Sequence, residues 1–249
     1  MTHERVAVIT GCGKDNLGTA VAREAVRRGF SVVMGYRNAA EEVTSVRNEL
    51  RASGGHVEAV RVDVSVDTDI EELIAQAVNA FGRIDLLATC ASLWSPTPFD
   101  EISTEDLSSN FAVNTLGTFL AAQKAGAVMA AQSEGGAIVT FGDWAIVRPY
   151  IDFAAYSISK GAIPTLTAVL ANELARKNPR IRVNCIHPGV LNAPHPPTGE
   201  LRDKVIHRTP AQRLGDQANI VQTVFFLAEN DYISGACIPV DGGRTISTR

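Results

Sequence analysis

Apolar residues are distributed along this chain in two rhythms. Short runs such as RVAVIT, SVVMG and GAIVTF are almost continuously apolar and rich in β-branched residues. Between them lie longer stretches in which apolar positions recur every three or four residues. The first rhythm predicts strands at Arg5–Thr10, Ser31–Gly35, Val57–Val62, Ile84–Ala88, Gly136–Phe141, Ile181–Ile186 and Ala236–Val240. The second predicts helices at Gly18–Arg28, Ala39–Ala52 and Asp67–Phe81, with Gly82 as a C-terminal stop. A helical region follows from Thr104 to Ala131, with Ser103 as its N-cap, and a long helix after the fifth strand ends near Lys177. Strands that are apolar throughout and alternate with helices form a parallel sheet covered on both faces. The expected architecture is therefore α/β, a doubly wound parallel sheet of seven strands with helices on both faces. No linker, low-complexity segment or solenoid repeat divides residues 1–249, which read as one domain.

Composition narrows the function classes. A 45% hydrophobic and 20% charged chain of 249 residues is that of an ordered globular protein. The net charge of −4, with no lysine or arginine run, argues against a nucleic-acid partner. The greasiest helical stretch, Ala112 to Ala131, carries Asn114, Gln123 and Lys124 and makes a poor membrane span. The first residues enter an apolar strand without the pattern of a signal peptide. Cys12, Cys90, Cys185 and Cys237 are widely spaced with no CxxC pair, and the five histidines form no HExxH pair. These features point away from a disulfide framework and a metal site, and towards a cytoplasmic protein acting on a small molecule.

Candidate chemistry lies between Val139 and Leu170. Tyr156 and Lys160 are four residues apart in a helical pattern and share one face. A phenol beside a fixed cation favours its phenolate form and becomes an acid–base candidate. Thirteen residues before the tyrosine, just past a strand end, stands Asp143. A second candidate is the loop after the first strand, Thr10-Gly11-Cys12-Gly13-Lys14-Asp15-Asn16-Leu17-Gly18. A glycine loop between strand and helix is where such sheets hold a dinucleotide pyrophosphate. The end of the second strand reads Gly35-Tyr36-Arg37-Asn38, without the carboxylate that would hold the ribose of NAD. Arg37 and Lys14 instead suit a 2′-phosphate, which favours NADPH over NADH.

These pieces, taken in order, resemble the short-chain dehydrogenase/reductase family across nearly the whole chain. The resemblance rests on the TG-initiated loop, Asp63-Val64, the Thr89-Cys90-Ala91-Ser92 turn and Asn114 in VNTLGTF. It continues through Tyr156 and Lys160, Arg182-Val183-Asn184, His187-Pro188-Gly189 and Val240-Asp241-Gly242-Gly243. It implies a Rossmann-like fold and hydride transfer between a nicotinamide and a carbonyl, alcohol or imine. It further implies that Tyr156 donates the proton, that Lys160 binds the nicotinamide ribose and lowers the tyrosine pKa, and that Asn114 holds a relay water. Gly11, Lys14, Asn16, Leu17 and Gly18 would border the cofactor phosphates, and Asp63 and Val64 the adenine. Ala91 would border the adenosine ribose, Ser92 the phosphate or substrate, and Pro188-Gly189-Val190 the carboxamide.

Three departures from the family pattern matter. The glycine loop has one extra residue and Asn16 where the middle glycine belongs, a position that asks for left-handed tolerance. Cys90 replaces an asparagine and reads as a small buried residue without an activating cation. Asp143 stands where a serine is usual. A serine donates a hydrogen bond to an oxygen becoming anionic, whereas an ionised carboxylate donates nothing and repels that charge. Asp143 therefore points to a nitrogen heterocycle with a C=N bond and N–H donors. Pteridine reductases and the similar dihydromonapterin reductases carry this exchange, and their loop NASSFYPTPL resembles CASLWSPTPF at residues 90–99. That likeness implies that Trp94 stacks on the substrate. The alternatives are an NADPH-dependent carbonyl reductase of 3-oxoacyl or sugar-ketone type, and a non-catalytic NADP-binding regulatory protein. The segment 191–208, with its prolines and histidines, is expected to cover the substrate. The long Ala-rich helices 107–131 and 153–177 carry more small apolar residues than one buried face needs and are expected to pack on a symmetry mate; the resemblance implies a homo-oligomer, a homotetramer or else a dimer.

Overall fold

Alternate residues of the apolar runs point to opposite faces of one sheet, and helices bury both faces. The computed structural model describes residues 4–192 and 196–248. Its strands are β1 (Arg5–Thr10), β2 (Phe30–Tyr36), β3 (Val57–Arg61), β4 (Leu86–Thr89), β5 (Gly136–Phe141), β6 (Ile181–Pro188) and β7 (Cys237–Val240). All pair in parallel, in the order β3-β2-β1-β4-β5-β6-β7. The helices are α1 (Leu17–Arg27), α2 (Ala40–Ala52), α3 (Asp67–Phe81), α4 (Thr104–Asn110) and α5 (Gly117–Ala130). They continue with α6 (Ala154–Gly161), α7 (Ile163–Lys177), α8 (Gly199–His207) and α9 (Gln217–Glu229).

The period of two in β1 divides the core. Ala7 and Ile9 join Val21, Val43 and Phe225 under α1, α2 and α9. Val8 joins Leu73, Ala121 and Leu170 under α3, α5 and α7. Each fully buried Val, Leu, Ile or Phe side chain among them contributes about 1.5–3 kcal/mol. Strand order reverses between β1 and β4, which opens a crevice at their carboxyl ends. Two residues of the Arg182-Val183-Asn184 run are structural. The Arg182 guanidinium donates to the carbonyls of Leu227 and Ala228 at 2.5 and 2.8 Å, closing the last turn of α9. The Asn184 amide bridges Ile233 O and Ala236 N, holding the segment that leads into β7.

The boundaries differ from expectation in instructive places. The fourth strand begins at Leu86 rather than Ile84, because the Gln132 amide takes both the N–H and the carbonyl of Ile84. The helical region from Thr104 is broken at Phe111–Leu116 by a π-helical turn, a feature often found at functional sites. Ser103 caps α4 as expected, in a reciprocal box with Asp106. Nor does one helix run from β5 to Lys177. A tight turn at Trp144–Ile146 comes first, and α6 ends at Gly161 because Pro164 has no N–H to continue the ladder. Gly82, with φ +78°, ends α3 as expected.

Candidate active site

The glycine turn is folded by its own side chains. Asn16 caps α1, its Oδ1 accepting from Thr19 N at 3.1 Å while its Nδ2 donates to Gly11 O at 2.8 Å. The Thr19 hydroxyl donates to Gly13 O at 2.5 Å. An N-cap residue is extended, and Asn16 has φ −104°. The left-handed position expected at Asn16 therefore falls on Asp15, with φ +49°. Gly11 is also left-handed, φ +71°, and a Cβ there would lie 2.5 Å from the backbone of Ala91. Only glycine lets these two loops touch.

A cleft of about 290 Å³ follows this turn, bordered by Gly11, Asn16, Arg37, Asp63, Val64, Ala91 and Ser92. It suits an adenosine: a glycine-lined wall, the open N-terminus of α1 and a half-exposed guanidinium at one end. Arg37 Nη1 stands 3.8 Å from Asp63 Oδ2. Asp63 is held below the usual carboxylate range, first by the Ser65 hydroxyl and more weakly by Arg37. Lys14 is exposed and lines neither this cleft nor the next, so of the two cations expected near a 2′-phosphate only Arg37 borders a cleft.

Gly11, Asn16, Cys90 and Ser92 also border a second cleft of about 480 Å³. Its walls bring together Leu17, Gly18, Trp94, Asp143, Tyr156, Lys160, Pro188, Gly189 and Val190. Of the expected site residues, Lys14 and Asn114 alone line neither cleft. Asn114 is buried in the π-helical turn, and its side chain is saturated. Its Oδ1 accepts from Leu93 N at 2.7 Å and Ser92 Oγ at 3.1 Å. Its Nδ2 donates to Leu93 O at 3.0 Å and Ser159 Oγ at 2.9 Å. An amide offers two donors and two acceptor lone pairs, so this side chain has none left for a relay water. What it does is brace the loop after β4 against α6.

Burial governs the reactive groups. Lys160 is buried and donates to Phe141 O at 2.9 Å, and burial lowers its pKa against the pull of Asp143. Its Nζ lies 6.0 Å from the centroid of the Tyr156 ring. The Tyr156 hydroxyl donates to Asp143 Oδ2. Its pKa is raised well above the ordinary tyrosine value, first by burial and then by the Asp143 charge. In the protein alone the tyrosine pKa is thus raised and not lowered: loss of water and the nearby carboxylate prevail, and the phenol keeps its proton. Asp143 is raised by burial, with Tyr156, the Ala145 N–H at 2.7 Å and Lys160 opposing. The half-buried Cys90 thiol is pushed up to about 12 by burial, against the pull of Lys160, a cation that its sequence neighbours do not reveal. His187, one residue before Pro188, is buried, and its Nε2 has no hydrogen-bond partner.

A stability experiment follows from Asp143. Its pKa is raised in the folded protein, so the protonated form is favoured there. That stabilisation is complete below the unfolded carboxylate pKa and is lost as pH rises through the folded value. At neutral pH the protein therefore carries the cost of a partly buried carboxylate. Asp143→Asn is expected to melt above the parent at neutral pH, the difference shrinking as the solution is acidified. Thermal melts across this range would show it; a constant difference would refute the argument.

Sequence reasoning missed an aromatic wall. Trp144 donates its Nε1–H to Tyr150 OH at 2.7 Å, and their rings meet edge to face at 5.5 Å. Phe153 lies 5.7 Å from Tyr150 and 6.3 Å from Tyr156, and Trp94 stacks on it at 4.9 Å. Trp94 is 53% exposed, so much of its surface is open. The signal was present: four aromatic residues fall between Trp144 and Tyr156 in a chain that is 6% aromatic. Of the segment 191–208, Leu191 lines the second cleft and 199–207 is α8, whereas 193–195 lie outside the described residues.

Oxidoreductases that use a dinucleotide are built this way, with a crevice at the strand reversal leading into an acid–base pair. The family model described as enoyl-(acyl carrier protein) reductase matches residues 11–245. An uncharacterized oxidoreductase of Methylorubrum extorquens is 32% identical over 246 residues, covering 96% of this chain and 97% of that one. A versicolorin reductase of Emericella nidulans is 31% identical over 256 residues, covering 96% and 95%. The solved structure of a Serratia marcescens short-chain dehydrogenase/reductase superposes with a TM-score of 0.89 at 29% identity, covering 98% of both chains. The chain belongs to the short-chain dehydrogenase/reductase family and is an oxidoreductase of that type. Members of this family use NAD(P)H. No helix among the described residues is long and apolar enough to cross a membrane.

Proposed function

We propose that this protein is an NADPH-dependent reductase of a C=N bond in a planar, pterin-like substrate. The observation that carries the reading is the Asp143 carboxyl, hydrogen-bonded by the Tyr156 hydroxyl inside an aromatic-walled cleft. Each Asp143 oxygen accepts one protein hydrogen bond, from Ala145 N or Tyr156 OH, and keeps lone pairs for ring N–H groups. A ketone oxygen gaining negative charge would be repelled at the same place. Tyr156 retains its proton and is the donor to ring nitrogen, with Asp143 positioning it. Lys160 has two N–H bonds beyond the one given to Phe141 O, which suit the nicotinamide ribose hydroxyls. When bound, the nicotinamide supplies the hydride. Gly11, Asn16, Leu17 and Gly18 would hold pyrophosphate; Asp63, Val64, Ala91 and Ser92 the adenosine side; and Pro188, Gly189 and Val190 the carboxamide. Arg37, without a carboxylate at the end of β2, supports a 2′-phosphate and hence NADPH. Trp94, with Phe153 behind it, offers a face on which a flat heterocycle can stack.

The second reading is a carbonyl reductase, with Asp143 protonated and donating to the substrate oxygen. It is favoured by the relative named for versicolorin reduction and by the raised Asp143 pKa. One panel separates the two: dihydropterins against 3-oxoacyl thioesters, sugar ketones and phenolic ketones, each with NADPH and NADH. Dihydropterin turnover is expected, faster with NADPH, and falling by about a hundredfold or more in Asp143→Ser. Brisk ketone reduction without pterin turnover, improved by Asp143→Ser, would establish the second reading instead. NADPH binding without turnover on any substrate would leave a regulatory protein. Exposed Leu107, Phe111, Leu116, Ile158 and Val169 along α4 to α7 support self-association through these helices, as in a tetramer. The four free thiols fit a reducing, cytoplasmic setting.

A further inference from the structure

Cys185 and Cys237 are register partners across the parallel β6–β7 pair, and their side chains leave the same face of the sheet. His187 is two residues beyond Cys185 and shares that face. One donor atom from each of the three lies within 4.8 Å of the others. The imidazole completes the set in a telling way. His187 is 8% exposed, and its Nε2 is buried with no hydrogen-bond partner. An orphaned ring nitrogen at such depth is costly, and coordination would satisfy it. Its neighbour is Gly142, where a Cβ would come within 2.9 Å of His187 Nε2 and 3.3 Å of Cys185 Sγ. The absence of a side chain there leaves both donors facing one space.

We propose that Cys185, His187 and Cys237 form a binding site for a thiophilic divalent cation of the zinc type, with the fourth position open on the side of the exposed Cys237. Two sulfurs and one imidazole are a donor set that zinc accepts in tetrahedral sites. Bonds of about 2.0–2.3 Å place neighbouring donors roughly 3.5 Å apart, so the trio closes with movements of about an ångström. The ion would tie β7 to β6 immediately before Pro188, and two of the donors lie beside Gly142, which precedes Asp143. The spacing of the cysteines and histidines along the chain conceals the site, because its third donor comes from a different strand far along the sequence.

The test uses the full-length protein, reduced and freed of metal by chelation, titrated with Co²⁺ as the probe and then with Zn²⁺. The expected result is one equivalent of cobalt bound, with a thiolate-to-cobalt charge-transfer band in the near ultraviolet that Zn²⁺ bleaches. Cys237→Ser, a change at an exposed position, should weaken cobalt binding by tenfold or more and diminish the band, roughly the scale on which metal-site mutations act. His187→Gln, with its fold checked by circular dichroism, should weaken binding similarly while keeping some sulfur-to-metal absorption. Absence of stoichiometric binding to the folded protein would overturn the proposal. So would a band that survives Cys237→Ser.

Discussion

Tyr156→Phe is expected to lower kcat by about 10²–10⁴-fold, the range for removing a positioned general acid, while NADPH binds as tightly as before. The phenol is the one group in the second cleft that donates a proton towards Asp143 while being kept protonated by burial and by that carboxylate. Phenylalanine keeps the ring, so the edge contact with Phe153 and the wall behind it persist. Lys160 keeps its bond to Phe141 O, which does not involve the tyrosine. Binding and chemistry should therefore separate. Fluorescence titration of NADPH reads the first and single-turnover kinetics the second. A fall in kcat of less than tenfold would mean that the proton comes from elsewhere, with Asp143 the nearest candidate.

Gly11→Ala is expected to cost on the order of 3 kcal/mol of stability, through left-handed backbone strain and overlap together. In a domain of this size that corresponds to a fall of roughly 6–12 °C in Tm. The backbone sits at φ +71°, and the added methyl would meet Ala91 at 2.5 Å, a contact with main chain that no rotamer change relieves. Relief requires the turn after β4 to move away from the glycine turn, which also widens the crevice, so NADPH affinity should fall with stability. Gly29→Ala is the control. Its φ is +77°, but a Cβ there meets nothing within 4 Å. Only the backbone penalty of about 1 kcal/mol applies. Equal melting temperatures for the two variants would show that the contact with Ala91 does not matter.

The order of strands and helices was legible because it follows from residue periodicity, a local property. The apolar runs mark all seven strands, and the glycine turn and the Tyr156–Lys160 pair lie in short segments whose geometry is set by their neighbours. What escaped depends on contacts between distant segments. Ile84 has a strand composition, yet Gln132 draws it out of the ladder. The left-handed residue of the glycine turn is Asp15 and not Asn16, because a cap must be extended. Lys14 carries the right charge but is exposed and borders neither cleft. The direction of the Tyr156 pKa could not be read from an i, i+4 spacing, since it turns on burial and on the carboxylate that folding places against the hydroxyl. The aromatic wall was present in the composition of 144–156 but needed the turn before α6 to become one surface.

The Asn114 brace sets the aperture of the site. One amide grips Leu93 by both backbone groups, and Ser92 and Ser159 besides, so the loop bearing Trp94 and the helix bearing Tyr156 share a single fastening. Two jaws fixed to one pin do not spread independently. On the proposed reading, a substrate of different thickness would be admitted by exchanging Trp94, the side chain that the loop jaw presents to the cleft, and not by breathing of the scaffold. On that reading the gauge of the slot is inherited from the fold, and specificity would drift by substitutions at its lips while the proposed acid–base groups stay in place.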